Sequence, residues 1–506
     1  MPAGEGQELG NWLYTELRAA ILDGRLKPGS RMPSTRGLSK QYALARGTVA
    51  AVFENLKSEG YIEAKVGAGT FVSIHIPDQS MAAAVASTDA VAEPSSAGLA
   101  QRGRDAVHGV RLLPASHSVG KAFRSYEPAV DLFPVNLWSR VAGRVLRRAP
   151  RSLYGQGDAR GYLPLRRAIA EYVGAARGVR CDASQVIITS GAQQGLDLIA
   201  RMLLDPGDAV WVEDPGYPGA VFSLRASGAQ VVPVPVDRDG LIVAAGRNAQ
   251  PHAKMAYVTP SNQFPLGVAM AEHRRLELLA WAASENAWIV EDEYDAEYRY
   301  FGRPLASLQG MDRSGCVIYV GTFTKMLFNS LRLGFLVVPE RIVDAFAAAR
   351  TVLDRHPPTL EQAILTDFIL DGHFGHHVRR MRQMYARRMA VLCDASRDRL
   401  GGRLEVVEAA SGMRALGWIR TGEKDTDLAN RARSLGIELA SLSDFAIQHS
   451  HPDALILGFA GCPASEIKRG VGVLAGVLEG RQPSGGESWE AERLKASVVG
   501  SSKQPS

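Results

Sequence analysis

Lys325 and Arg332 stand seven positions apart in VGTFTKMLFNSLRLGF, residues 320–335. An ammonium group among Phe, Met and Leu is costly unless it is paired or its pKa is lowered. Lowered, it becomes a nucleophile that forms a Schiff base with an aldehyde. A lone lysine is more often a surface residue with its stem laid on apolar atoms, so the chemistry needs further groups. AWIVEDEYDAEY places Asp292 at the end of an apolar run, with Tyr294 two residues on. A carboxylate there can keep a pyridine nitrogen protonated and the ring electron-withdrawing, as pyridoxal chemistry requires; the same string also reads as an acidic loop. In TSGAQQGLDLIARML, small residues open a helix after the apolar run QVII. The backbone N–H groups of Ala192 and Gln193 then face a phosphate at a helix N-terminus, and Arg332 can fork onto the same phosphate. Tyr217, on the turn in VEDPGYPG, is free to stack on an aromatic ring.

A second kind of chemistry stands at the other end of the chain. PSTRGLSKQYALARGTVAAVFENLKSEGYIEAKVGAGTFV reads as helix, tight turn, helix and hairpin. Leu13, Leu17, Ile21 and Leu22 give the preceding stretch a helical stripe, and Val49, Val52, Phe53 and Leu56 give the second helix its buried side. Arg46, Thr48 and Ala50 open that helix and are left to face outward, where a helix-turn-helix meets the major groove. Gly67 and Gly69 mark the hairpin tip. Between residues 25 and 65 eight basic residues face three acidic ones, a local balance of +5 that suits phosphate contact. A small helical dimerisation domain with a solvated basic face would show the same pattern.

The 506 residues exceed one ordinary core. Residues 76–120 are rich in Ala, Ser, Gly and Pro and read as a flexible linker. Residues 1–75 and 121–480 then form two domains, and 481–506 read as a disordered tail. In the larger domain QVIITS, AVWVED, AKMAYVTP, AWIVEDE, CVIYVG and LGFLVVP alternate with helical patterns, which predicts an α/β domain on a largely parallel sheet. No apolar run approaches the about 18–20 residues needed to cross a membrane. The start lacks the basic and apolar regions of a secretory signal. The four cysteines are scattered, without metal or disulfide spacing, which fits a cytoplasmic location. The net charge of +5 is small for this length.

Residues 10–73 resemble the winged helix-turn-helix of GntR-type regulators, through the LxxxI-xxGxLxPGxRxPSxR entry, the ARGTV turn, the LxxEGxI exit and the GxGTFV wing. The resemblance implies DNA contacts from Arg36, Arg46, Thr48, Lys65 and Gly67. Residues 125–475 resemble fold-type I aminotransferases, YGQGDARGYLPLRRAIAEYV included. Carried over, this implies pyridoxal 5′-phosphate as cofactor, a Schiff base on Lys325, Asp292 at the ring nitrogen, Tyr294 at the ring hydroxyl and Tyr217 stacked on the ring. Ala192, Gln193, Thr322 and Arg332 would surround the phosphate, and Tyr154 would reach the phosphate in a neighbouring subunit. Two departures stand out. Phe264-Pro265-Leu266-Gly267 replaces the enzymes' N-P-x-G, and Ile456 and Leu457 occupy the place of their carboxylate-binding arginine, for which Arg414 is a candidate substitute.

Both modules in this order are similar to the MocR subfamily of GntR regulators. TPSNQFPLG is close to its usual TPSHQFPLG, with Asn262 for His among the cofactor residues. The subfamily implies a head-to-tail homodimer that binds a double-stranded DNA operator and answers to the cofactor, alone or with an amino compound, without metal or membrane. The alternatives are a working aminotransferase with a vestigial DNA-binding domain, and a repressor whose second domain only dimerises.

Overall fold

The computed structural model describes residues 5–65, 69–75, 100, 103–104, 120–302 and 305–480. The expected linker, apart from residues 100, 103, 104 and 120, lies outside them, as do the expected tail and Gly67. The chain divides into two compact units, Met1–Gly98 and Leu99–Ser506.

In the first unit α1 (Glu5–Leu22), α2 (Thr35–Gln41) and α3 (Arg46–Ser58) precede an antiparallel pair, β1 (Ile62–Lys65) and β2 (Gly69–Val72). Their apolar stripes meet in one core, with Leu13, Leu17 and Ile21 against Val49, Val52, Phe53 and Leu56. The turn between α2 and α3 passes through Ala43 at φ 54°. Ser34 caps α2 by accepting a hydrogen bond from the Gly37 amide at 3.0 Å. Gly69 is not at a free tip: it opens β2 and pairs with Lys65.

The second unit is built on an eight-stranded sheet. Its strands are β3 (Val186–Thr189), β4 (Ala209–Asp214), β5 (Gln230–Asp237), β6 (Gly240–Leu241), β7 (Met255–Val258), β8 (Trp288–Glu293), β9 (Val317–Thr322) and β10 (Gly334–Val337). The order is β3-β10-β9-β8-β7-β4-β5-β6. Neighbours from β9 through β5 run parallel, while β10 is antiparallel to both β3 and β9. Helices cover both faces, so the strands are apolar on both sides. In β4, Val210 and Val212 enter one core while Ala209 and Trp211 enter the other. Trp211 stacks on Trp281 at 3.8 Å between ring centroids. A Cβ on Gly246 would lie 2.8 Å from Trp211, so only glycine lets the helix Val243–Ala249 come so close.

A 27-residue helix, His373–Arg399, leads to a smaller antiparallel sheet of β11 (Leu404–Val406), β12 (Arg414–Ile419), β13 (Ala440–Ser441) and β14 (Ala454–Gly458), ordered β11-β12-β14-β13. Segment 121–129 folds back onto this sheet, with Phe123 bridging to Gly458.

Candidate functional site

The carboxyl ends of β3, β7, β8 and β9 open on one side of the large sheet, where α/β proteins bind ligands. Because β10 runs the other way, its entry from Arg332 reaches this same edge. A cavity of about 740 Å³ lies there, and Lys325, Asp292, Tyr294, Tyr217, Ala192, Gln193, Thr322 and Arg332 all line it.

Lys325 sits on the turn after β9. Its Nζ donates to the Tyr126 carbonyl at 2.8 Å and lies 5.4 Å from the centre of that ring. Burial pulls its pKa down to about 8, with Asp295 opposing and Arg332 reinforcing the shift. Asp292 is the penultimate residue of β8 and is buried. The Tyr257 hydroxyl donates to its Oδ2 at 2.7 Å, while Oδ1 is buried with no hydrogen-bond partner. Burial pushes this carboxyl up to about 7 against the Tyr257 hydrogen bond, and Glu293 and Asp295 add to the rise.

The helix Ala192–Leu203 begins in the cavity without a side-chain cap, after Gly191 at φ 103°. Arg332 approaches the same point: a Cβ on Gly191 would lie 3.3 Å from its guanidinium. Helix start and guanidinium thus converge on one anion-sized place. The Gln193 side chain is spent on the Gly219 carbonyl and Ser223 Oγ, at 2.8 and 2.7 Å, which leaves its backbone amide for that place. The Thr322 hydroxyl accepts from the Thr324 amide at 3.2 Å, and Thr324 Oγ1 is buried without a partner.

The donor set fits pyridoxal 5′-phosphate. An orphaned carboxylate oxygen awaits a ring N–H, a helix start and an arginine await a phosphate, and a lysine of lowered pKa awaits the aldehyde.

Tyr294 donates to the Asn262 carbonyl at 2.6 Å and accepts from Arg414. Asn262 itself does not line the cavity. Its amide donates to both oxygens of Asp295, at 2.8 and 2.9 Å, so it steadies the wall from behind. Arg414 is likewise behind the wall, 3.7 Å from Asp295, bonded to the Gln263 and Pro265 carbonyls and 4.6 Å from the Phe264 ring centre. Its guanidinium is thus taken up by the protein's own groups and does not replace the enzymes' carboxylate-binding arginine. Tyr154 is 61% exposed and away from its own chain's cavity.

Tyr257, Thr324 and Tyr126 went unrecognised in the sequence. A tyrosine inside the otherwise apolar β7 was the available signal for the first. Tyr126 carried none, because its carbonyl does the work.

In the first unit Arg36, Arg46 and Lys65 are exposed, with Arg46 at the uncapped start of α3. Lys65 Nζ stands 5.2 Å over the Phe71 ring. Thr48 is only half exposed. A Cβ on Gly10 would lie 3.1 Å from its methyl, so that methyl faces α1 rather than outward.

The two units have matching families. Residues 133–474 match "Aminotransferase class I and II", and residues 9–72 match "Bacterial regulatory proteins, gntR family". Solved structures with the large unit's fold include an archaeal alanine:glyoxylate aminotransferase, with TM-score 0.68 and 25% identity over 76% of this chain and 98% of that one. The α-aminoadipate aminotransferase LysN of Thermus thermophilus has TM-score 0.65 and 26% identity over 75% and 95%. The second unit therefore has the fold of pyridoxal-phosphate-dependent aminotransferases, joined to a GntR-type winged helix-turn-helix.

Similar full-length proteins carry both units. The "Probable rhizopine catabolism regulatory protein MocR" of Rhizobium meliloti is 39% identical over 94% of each chain. The regulator TauR of Rhodobacter capsulatus is 34% identical over 86% of this chain and 89% of its own. The pyridoxine biosynthesis regulator PdxR of Corynebacterium glutamicum is 28% identical over 88% and 91%. The chain belongs to the MocR subfamily of GntR transcription regulators. No helix among the described residues is long and apolar enough to cross a membrane.

Proposed function

We propose that this regulator senses pyridoxal 5′-phosphate, alone or with an amino compound, and changes its hold on an operator accordingly. The observation that carries the reading is the buried, unpartnered Oδ1 of Asp292 in one cavity with Lys325 and Arg332. When bound, the cofactor supplies an aldehyde that captures amines and a ring that withdraws electrons. Lys325 holds it covalently. Asp292, kept in place by Tyr257, fixes the ring nitrogen; Tyr217 stacks on the ring; Tyr294 meets the ring hydroxyl. Ala192, Gln193, Thr322 and Arg332 hold the phosphate. Asn262 acts indirectly, through Asp295.

Residues 1–75 read DNA through Arg36, Arg46, Thr48, Lys65 and the Gly67 wing, and residues 121–480 form the sensor. The protein works in the cytoplasm as a head-to-tail homodimer, in which the exposed Tyr154 serves the partner's phosphate. A ligand that favours one dimer arrangement shifts the spacing of the two DNA-binding units, and with it operator affinity.

Selection of genomic DNA fragments with full-length protein, with and without the cofactor, tests this. Recovery of a discrete site whose yield changes with cofactor is the expected result. Nothing specific in either condition, from protein that binds the cofactor, would shift the reading to an aminotransferase. The complete cavity set is the observation that favours that second reading, and steady turnover of an amino acid with a keto acid is its test.

A further inference from the structure

The cofactor reading accounts for the inner half of the cavity and leaves the outer half unexplained. That outer wall comes from segment 121–126, from residues 433–445 and from Phe264. Its charges are closed on one another. Lys121 Nζ lies 3.0 Å and Arg124 Nε 3.4 Å from Glu438, and Arg124 also faces Glu127 at 3.8 Å. Arg433 lies 3.3 Å from Asp444 and donates to the Leu439 carbonyl at 3.0 Å. Three cations thus face three carboxylates.

Arg332 is committed to the phosphate and Arg414 is tied up behind the wall. Between the ion pairs and Lys325 the surface is aromatic. The Phe264 ring packs 5.2 Å from Tyr126 and 5.1 Å from Phe445, with Leu416 and Ile456 in the same cluster.

A carboxylate entering here leaves water for an apolar wall on which, among the described residues, every cation is already engaged. Holding it means sharing a cation that already serves its own acid, so the carboxylate gains less here than it would at an unengaged arginine. An amine without a carboxylate meets no such cost, and its apolar body gains by covering the part-exposed Tyr126 ring.

We propose that the effector of this cavity is a primary amine that carries no carboxylate and has an apolar or aromatic body. The inference rests on the cofactor reading above. The neutral amine nitrogen forms a double bond to the cofactor carbon held by Lys325, the double bond from that carbon to Nζ breaks, and the two protons of the incoming nitrogen pass to Nζ, which leaves as a neutral amine. No oxidant, reductant or net water is involved. The freed Nζ has its acceptor ready in the Tyr126 carbonyl, 2.8 Å away in this structure.

The test titrates full-length, cofactor-loaded protein with matched pairs that differ only by the carboxylate: phenethylamine against phenylalanine, and isoamylamine against leucine. The readout is displacement of the visible absorption band of the lysine-bound cofactor. Each amine is expected to half-saturate at a concentration at least about tenfold below its amino acid, the size of one uncompensated polar contact. Equal or better response to the amino acids overturns the inference. A band that none of the four moves also overturns it, while leaving cofactor binding intact. No band at all, in folded protein, overturns the cofactor reading itself. Glu438→Gln releases Lys121 and Arg124 from their shared carboxylate, so it should narrow the amine preference at least about threefold; an unchanged ratio overturns the charge argument.

Discussion

The two units place their chemistry in opposite settings. In the DNA-binding unit the side chains proposed to contact DNA, Arg36, Arg46 and Lys65, are exposed, and the fold beneath them is an ordinary apolar core. In the large unit Asp292 and Thr322 are buried, and Lys325 and Asp292 owe their properties to that burial. An exposed site fails by losing a contact. A buried site also changes the stability of whatever surrounds it, because unpaired buried groups are held against their own preference.

The largest expected effect is at Lys325. Lys325→Ala should abolish the visible band of lysine-bound cofactor and any borohydride-stable adduct, yet leave basal DNA binding. In the wild type the rate of covalent capture should rise with pH and reach half its maximum near 8, because the neutral amine reacts and burial has lowered this lysine to about 8. Half-maximal capture near the ordinary lysine value would mean that the cavity does not desolvate Nζ.

Next is the core of the small unit. Leu56 is fully buried, and Leu56→Ala should cost about 2–5 kcal/mol. DNA binding should melt well below the wild-type temperature while cofactor absorbance persists. Simultaneous loss of both would show that the units do not stand independently.

Asp292→Asn sets function against stability. A carboxyl whose folded-state pKa is raised to about 7 stabilises while protonated, and that contribution is lost as pH climbs through 7. Glu213 and Glu291, also lifted to about 7 by burial, act in the same direction. The cofactor-free wild type should therefore lose stability between pH 6 and 8.5. At the upper end Asp292→Asn should be more stable by on the order of 2–4 kcal/mol, although it binds the cofactor more weakly. Thermal melts at the two pH values decide this; an Asp292→Asn protein less stable at pH 8.5 would refute it.

Arg46→Ala should lower operator affinity by about 1–3 kcal/mol and relax discrimination at one base pair, with the melting temperature unchanged. Gel-shift titration against single-base operator variants separates that outcome from uniform weakening.

How much of this was legible depended on whether a property is carried by residue type or by neighbours. The strands β3, β4, β7, β8, β9 and β10 announced themselves as apolar runs. The reversal of β10 did not, since a strand buried on both faces looks alike in either direction. β5 was hidden by Pro233 and Pro235, which its position near the sheet edge tolerates. That Lys325, Asp292 and Arg332 would line one cavity was readable because few residue types suit the roles proposed for them. Tyr257 was not: it reads as core, and only the pairing of β7 with β8, Tyr257 opposite Val290, brings its hydroxyl to Asp292. Asn262 and Arg414 have the right types for a site, but Asp295, placed by the fold between them, takes them for itself.

The smallest effect is at Lys65, where the exposed site can be tested most finely. Lys65 ends β1, opposite Gly69, at the side of the wing, and no acidic partner is found for it among the described residues. In the proposed role Lys65 meets phosphate, which carries no sequence information, so Lys65→Ala should weaken all DNA alike. Each lost phosphate contact removes about 0.9 from the slope of log affinity against log salt. Affinities at several salt concentrations, on operator and random DNA, should give a slope smaller by about that amount on both. An unchanged slope would remove the wing from the interface and leave recognition to the start of α3 alone.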